Sequence, residues 1–134
     1  MGNFDKLQDY TRLQALAGRV AQFLRLSSCP TVEIKWVDRG WARPKTNKIT
    51  IPGRILGEVE VYQRYYVAHE VCHFAEGLEH SAQFKRRESE VLRELWGVAI
   101  RKYPGRPPKP PQDHRVYPVR LVDIRSGEVL WSSK

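Results

Sequence analysis

The segment from residue 58 to residue 76 constrains the fold most, because it repeats apolar and aromatic residues at the spacing of an α-helix. Residues three and four positions apart lie on the same face of a helix, so these residues form two neighbouring stripes. The stripe on the predicted core side consists of Val61, Tyr65, Ala68, Cys72 and Ala75. The stripe on the adjoining face, which we expect to face a cleft, consists of Tyr62, Tyr66, His69 and His73. Gly77 follows at the position where a left-handed glycine commonly ends a helix.

The second stripe contains the sequence His69-Glu70-Val71-Cys72-His73, which is an HExxH motif. On a helix its two imidazoles project from one face, about 6 Å apart along the axis. Each imidazole can then reach a shared zinc ion at about 2.0–2.1 Å. Glu70 lies at the edge of this face, where it can take a proton from water without occupying a metal position. The motif therefore predicts a zinc site that hydrolyses peptide bonds, with Glu70 as the general base.

His80 is the candidate third ligand. It follows the predicted helix end at Gly77, so three of the four histidines of the chain lie within twelve residues. A turn after Gly77 would bring His80 back over the helix, and three protein ligands would leave a fourth position open, as in catalytic zinc sites. In the alternative, His80 only begins the next helix, and Glu88 or Glu90 is the third ligand.

Other residues near the motif have candidate roles of their own. Glu76 and Glu79 are expected in solvent, or else hydrogen-bonded to the outer nitrogen of a ligand imidazole. Cys72 lies on the core stripe, which favours a small buried side chain over a ligand or a nucleophile. His114 is interpreted as a surface residue. The candidate cleft residues lie on the second stripe and on the preceding strand, which could hold an extended peptide: Tyr62, Tyr66, Ile49, Thr50 and Ile51. For the two tyrosines, plain packing is the alternative.

The residues before the motif predict one helix and a small sheet. Apolar residues recur at helical spacing from Phe4 to Leu26, with Asn3 as a candidate N-cap. Alternating, β-branched residues predict strands at Val32–Val37 and at Lys48–Ile51. The length between them allows a further strand at Trp41–Arg43, so we expect a small antiparallel sheet.

The residues after the motif predict a helix, a stiff connector and a hairpin. The helix runs from Ser81 to Tyr103 and buries Phe84, Val91, Leu92, Leu95, Trp96, Ala99 and Ile100. A proline-rich run over 106–111 predicts extended polyproline. Val116–Val122 and Glu128–Trp131 flank a turn and predict a β-hairpin. We therefore divide the chain into a domain over 1–103, a connector over 104–115 and a hairpin extension over 116–134.

The motif and its surroundings resemble a known group of enzymes. The HEVCH sequence at 69–73, a short break, and then His80-Ser81-Ala82-Gln83-Phe84 are similar to the SprT-like and WLM/YgjP-like metallopeptidases, small relatives of the gluzincins. The strand Lys48-Ile49-Thr50-Ile51-Pro52 also resembles the one that enters their active-site helix. The resemblance covers about residues 32–100, and its specific part is some sixteen residues. It implies an α+β, zincin-like (minigluzincin) domain with Zn²⁺ held by His69, His73 and His80 and with Glu70 as the base.

Composition limits the setting in which this chemistry would occur. With 134 residues, 41% of them hydrophobic, the chain fits one ordinary globular domain. The charged N-terminal residues, the two cysteines and the absence of a long apolar stretch favour a cytoplasmic protein without a membrane span.

The net charge of +8 leaves other kinds of partner open. Residues 85–134 carry 12 Lys/Arg and 6 Asp/Glu, a balance of +6, whereas residues 1–84 carry 11 and 9, a balance of +2. Besides a peptide substrate, this basic third could bind nucleic acid, for instance through Lys85, Arg86 and Arg87, around a structural or vestigial zinc. A solvated basic surface is the simpler interpretation. The proline-rich segment or the hairpin could instead recruit a protein partner.

Overall fold

The computed structural model describes residues 2–102 and 119–132 and has an α+β fold, which confirms the predicted class. The helices are α1 (Gly2–Phe23), α2 (Glu60–Glu76) and α3 (Ala82–Trp96). The strands are β1 (Thr31–Lys35), β2 (Trp41–Arg43), β3 (Lys48–Pro52), β4 (Val98–Lys102), β5 (Val119–Asp123) and β6 (Val129–Ser132). Two short 3₁₀ helices, Pro44–Thr46 and Gly53–Gly57, flank β3. None of the described helices has the length and apolar character that crossing a membrane requires.

Strands β1, β2 and β3 form a mixed sheet in the order β1-β3-β2. Strands β2 and β3 are antiparallel, but β1 and β3 are parallel, so the expectation of an antiparallel sheet is wrong for that pair. The reason is the path of the chain, which leaves β1, forms the far edge as β2 and then turns back between the two. Asn47 makes that return turn with a left-handed backbone (φ 57°), a conformation that asparagine tolerates well.

The two edges of this sheet are not equivalent. At the β1 edge, the side-chain amide of Gln14 on α1 accepts a hydrogen bond from the Val32 N–H and donates one to the Pro30 carbonyl, both at 2.9 Å. The amide therefore pairs with β1 as a neighbouring strand would. At the other edge, β2 has no further strand beside it within the described residues.

Helix α2 lies at the centre of the molecule, because α1, α3, the first sheet and β6 all pack against it. Both of its predicted stripes are buried over most of their length, with Val61 partly buried in the first turn. Ala75 is exposed, contrary to prediction, since the last turn of α2 extends past the packed part of the helix. On α1, the middle of the predicted stripe is buried at Leu13 and Val20, whereas Leu7 is exposed. Asn3 is not an N-cap, because α1 already begins at Gly2.

Helix α3 is shorter than predicted, and a second sheet follows it. Gly97 adopts a left-handed conformation (φ 64°) and its N–H bonds to the carbonyls of Arg93 and Leu92, which ends the helix at Trp96. Ala99 and Ile100, predicted in the helix, therefore lie in β4. Strand β4 pairs with β5, and β5 pairs with β6, both antiparallel. The predicted C-terminal hairpin is thus present and joins β4, while the connector at 104–115 lies outside the described residues and the domain division stays a prediction.

The first sheet, β1-β3-β2, is fixed on α2 at Gly40, where the backbone N–H donates to the Tyr66 hydroxyl at 2.8 Å. A Cβ at residue 40 would lie 2.2 Å from the Thr50 carbonyl oxygen and 3.0 Å from that hydroxyl. We expect Gly40→Ala to lower the free energy of unfolding by about 2–3 kcal/mol through overpacking, as measured by chemical denaturation.

Gly57→Ala is the matched control, because a Cβ there meets no heavy atom within 4 Å. Its free energy of unfolding should change by less than about 0.5 kcal/mol. Equal losses in the two variants would contradict the close approach at Gly40.

Candidate metal centre

Three imidazoles converge on one point between α2 and α3. His69 and His73 lie one turn apart on α2, and both are buried. The Nε2 atom of His80 lies 3.1 Å from Nε2 of His69 and 3.3 Å from Nε2 of His73. Within the described residues, these three form the group of side chains whose donor atoms could hold a metal ion.

The spacing of the nitrogens fits a tetrahedral ion. Ligands at about 2.0–2.1 Å from zinc and about 109° apart are separated by about 3.3 Å. The two separations at His80 are close to this value. The donor atoms of the three residues all lie within 4.8 Å of one another, so they can converge on one ion. Three protein ligands leave a fourth tetrahedral position for a water or a substrate.

The outer nitrogens determine which tautomers the imidazoles adopt. Nδ1 of His73 is 2.8 Å from the Gly77 carbonyl oxygen, which can only accept, so this Nδ1 carries the proton. Nδ1 of His69 is 2.5 Å from the Glu88 carboxylate, an acceptor for the same kind of bond. Both Nε2 atoms therefore turn lone pairs toward His80. A cation placed among the three nitrogens would interact favourably with all of them.

A short turn places His80 over the two helical ligands. Gly77 ends α2, as predicted, and its N–H bonds to the His73 carbonyl. Its φ of 86° is positive, but its ψ of 176° is extended, so the turn leaves the helix at once instead of forming the expected left-handed cap. Four residues later, Ser81 starts α3 by accepting the Phe84 N–H at 3.2 Å. The intervening residues, including His80, are thereby held between two fixed helix ends.

The Phe84 ring packs against all three imidazoles. Its centroid lies 4.5 Å from that of His73 in a stacked arrangement, 5.1 Å from that of His69 and 5.2 Å from that of His80. An apolar ring in this place limits the rotamers of the ligands and excludes water from their sides. It also explains the spacing of the sequence His80-Ser81-Ala82-Gln83-Phe84, since Phe84 lies in the first turn of α3.

Two buried carboxylates accompany the histidines. Glu70 is fully buried one residue after His69, and Glu88 is 6% exposed. Buried carboxylates require donors or opposite charge nearby, and together these two offset the charge of a divalent ion. The donor set and the charge therefore both fit a metal such as zinc.

The glutamates considered as ligands have other positions. Glu88 contacts Nδ1 of His69, on the outer side of that ring, and Glu90 forms an ion pair with Arg87. Arg87 also lies 3.9 Å from Glu76, and Glu79 is exposed. The role of holding an imidazole by its outer nitrogen, expected for Glu76 or Glu79, thus falls to Glu88. The ion pairs with Glu76 and Glu90 also engage Arg87, one of the three cations that could bind nucleic acid.

The sequence does contain a signal that Glu88 has a special role. It lies four residues after Phe84 and three before Val91, so it occupies the buried stripe of α3, where a charged residue is unusual.

The candidate cleft residues lie in the packed interior. Tyr62 is buried and stacks on Trp131 with centroids 4.2 Å apart, and Tyr66 is buried and accepts from Gly40. Ile49, Thr50 and Ile51 are buried in β3, the central strand of the sheet. Strand addition at β3 is therefore a wrong expectation, because β1 and β2 already occupy its two sides.

Cys72 is fully buried, as predicted from its stripe. Desolvation raises the pKa of its thiol, so the thiol stays protonated at neutral pH and is unsuited to act as a ligand or a nucleophile. His114 lies outside the described residues.

Comparison with solved structures finds a likeness to the crystal structure of the metallopeptidase zymogen of Pyrococcus abyssi abylysin, with a TM-score of 0.54. The two sequences are 24% identical, and the match covers 60% of this chain and 79% of the other. The likeness is one of fold, and it agrees with a zincin-like α+β domain. No protein-family model matches the sequence, and no curated protein matches it either. The resemblance to SprT-like and WLM/YgjP-like enzymes stays a prediction.

Removal of one imidazole tests the metal centre directly. We expect His80→Ala to weaken zinc binding by at least about 100-fold, because two ligands from one helix remain. The affinity is measured by competition with a chromogenic chelator. His114→Ala is the control, since it removes the fourth histidine of the sequence, which is not part of the predicted ligand set, and it should retain wild-type affinity. Equal affinity of the two variants would remove His80 from the site.

Glu88 should influence the metal without touching it. Glu88→Gln is expected to weaken zinc binding about 10-fold, and Glu88→Ala up to about 100-fold, because the orienting carboxylate on His69 is lost. Glu94→Gln, on the exposed side of the same helix, is the control and should leave the affinity unchanged. Full zinc affinity in Glu88→Ala, measured with the same chelator, would contradict the orienting role.

Proposed function

We propose that this chain is a zinc-dependent metallopeptidase that hydrolyses peptide bonds with Glu70 as the general base. The observation that carries the proposal is the convergence of three histidine side chains whose donor atoms lie within 4.8 Å of one another, with a buried glutamate on the same helical turn. Nε2 of His80 lies 3.1 Å and 3.3 Å from the Nε2 atoms of His69 and His73, close to the spacing of tetrahedral ligands. The fold likeness to a metallopeptidase zymogen supports it.

The donor set favours zinc as the ion. Three neutral imidazoles in a tetrahedral arrangement with an open fourth position are typical of catalytic zinc, which has no geometric preference of its own to oppose them. Nδ1 of His69 and Nδ1 of His73 are engaged by Glu88 and by the Gly77 carbonyl, so both rings are held with Nε2 directed at His80.

Glu70 is the residue that would move the proton. When bound, zinc supplies a Lewis acid that polarises a carbonyl and lowers the pKa of water toward 7. Glu70 then accepts the proton of the attacking water and delivers it to the leaving amine. Its burial shields it from bulk solvent, and its place one residue after His69 would put it at the edge of the ligand face, within reach of such a water.

The substrate strand would lie at β2. Because β3 is enclosed and Gln14 covers part of the β1 edge, β2 is the edge of this sheet that can accept an extended peptide. Strand β2 also packs on α2, the helix that carries the motif.

Substitution of the base separates chemistry from metal binding. We expect Glu70→Gln to slow hydrolysis of a fluorogenic casein or peptide substrate by about 10²–10⁴-fold while zinc stays bound, because the amide cannot accept the proton.

Glu79→Gln, in the exposed turn between the helices, is the matched control and should keep the wild-type rate. A Glu70→Gln protein that retains zinc and hydrolyses at the wild-type rate would exclude Glu70 from the reaction.

A further inference from the structure

We propose that the β2 edge selects substrate strands with an acidic side chain, through contact with Arg43. This inference rests on the proposed peptidase function and adds the class of substrate. The feature that supports it lies outside the metal centre: positive charge is concentrated along the open edge of the first sheet.

The position of β2 suits a substrate strand. Gly40, directly before β2, bonds to the Tyr66 hydroxyl on α2. Glu70 lies four residues after Tyr66, which places it one turn further along the same face of the helix, about 6 Å along the axis. A peptide paired with β2 would advance about 3.3 Å per residue, so two residues would span a distance of this order.

The register of β2 decides which of its side chains meet those of a peptide. Trp41 and Arg43 point to one face of the sheet, whereas Ala42 between them is buried on the other. On an added strand, alternate side chains would therefore lie beside Trp41 and Arg43, at the 4.5–5.5 Å separation typical of cross-strand neighbours.

The Arg43 side chain is restrained in a way that favours carboxylate binding. Its guanidinium carbon lies 4.9 Å from the centroid of the Trp41 ring, a cation–π contact that restrains the side chain. A guanidinium also presents a planar fork of N–H donors that matches a carboxylate bidentately.

The charge around this edge is not compensated. Arg39, Arg43 and Lys45 are exposed, and none of them has an ion pair within the described residues. By contrast, Lys35 and Lys48, nearer the β1 side, both pair with Glu33, and these contacts lower the pKa of that carboxyl.

An acidic peptide would supply the missing negative charge while also using the open backbone of β2. A nucleic acid could use the charge, but it has no strand to pair with the edge. The combination of a strand edge and unpaired cations therefore favours a peptide.

The test measures binding without turnover, in the zinc-loaded full chain carrying Glu70→Gln. Two fluorescein-labelled peptides are compared by anisotropy, one with glutamate at alternate positions and one with glutamine at the same positions, so that the result does not depend on register. We expect the glutamate peptide to bind about fivefold more tightly, and the preference to fall to within about twofold when Arg43→Gln is added. Arg43→Lys should restore part of the preference.

Arg86→Gln, an exposed cation on α3, is the matched control and should leave the preference intact. Equal binding of the two peptides, or a preference that survives Arg43→Gln and disappears in Arg86→Gln, would overturn the inference. A single-stranded oligonucleotide that binds at Arg43 more tightly than the glutamate peptide would overturn it in favour of nucleic acid.

The outcome is distinguishable from failure of the proposed function. If the wild-type chain hydrolyses peptides but does not prefer acidic ones, only the acidic preference is contradicted, and the peptidase function stands. If the glutamate peptide binds in an Arg43-dependent manner but the zinc-loaded wild type does not hydrolyse peptides, the binding site is supported and the peptidase function is contradicted.

Discussion

The burial of α2 is the constraint on which the rest of the structure depends. This helix carries polar groups into the interior, and each of them must find a partner there, because an unpaired buried polar group costs about 1–3 kcal/mol. Gln63 accepts from Arg12 and donates to two backbone carbonyls, which fixes α1 and the segment before α2. His69 and His73 require partners at their outer nitrogens, which Glu88 and Gly77 supply. The placement of α1, α3 and the intervening turn is thus set by the polar requirements of one helix as well as by apolar packing.

The parts of the site that could be predicted are those encoded within a few residues. The HExxH spacing fixes the relation of His69 to His73 once the segment is helical, and Gly77 marks where the helix ends. His80 could be expected near them because only six residues lie between it and His73. The role of these residues as zinc ligands is a proposal. Their convergence follows from the HExxH spacing on a helix and from the turn after Gly77, both of which can be recognised in the sequence.

The parts that could not be predicted depend on contacts between distant segments. Whether β1 lies beside β2 or beside β3 is decided by the path of the chain, so the strands could be located but not paired. The predicted helix runs past the end of α3 because Ala99 and Ile100 continue its apolar spacing, whereas the left-handed cap at Gly97 ends the helix and β5 provides a partner strand. The sequence predicts Glu88 only as an alternative ligand, since it does not reveal which nitrogen of His69 this carboxylate approaches.

The unequal edges of the first sheet also bear on self-association. An exposed strand edge is a site at which two copies of a chain can pair and aggregate. Here the Gln14 amide occupies part of one edge, and the other is only three residues long and carries Arg43, with Arg39 and Lys45 beside it. Two copies meeting at β2 would bring these cations together, and like-charge repulsion would oppose the contact. The same charges would thus keep the protein monomeric at this surface.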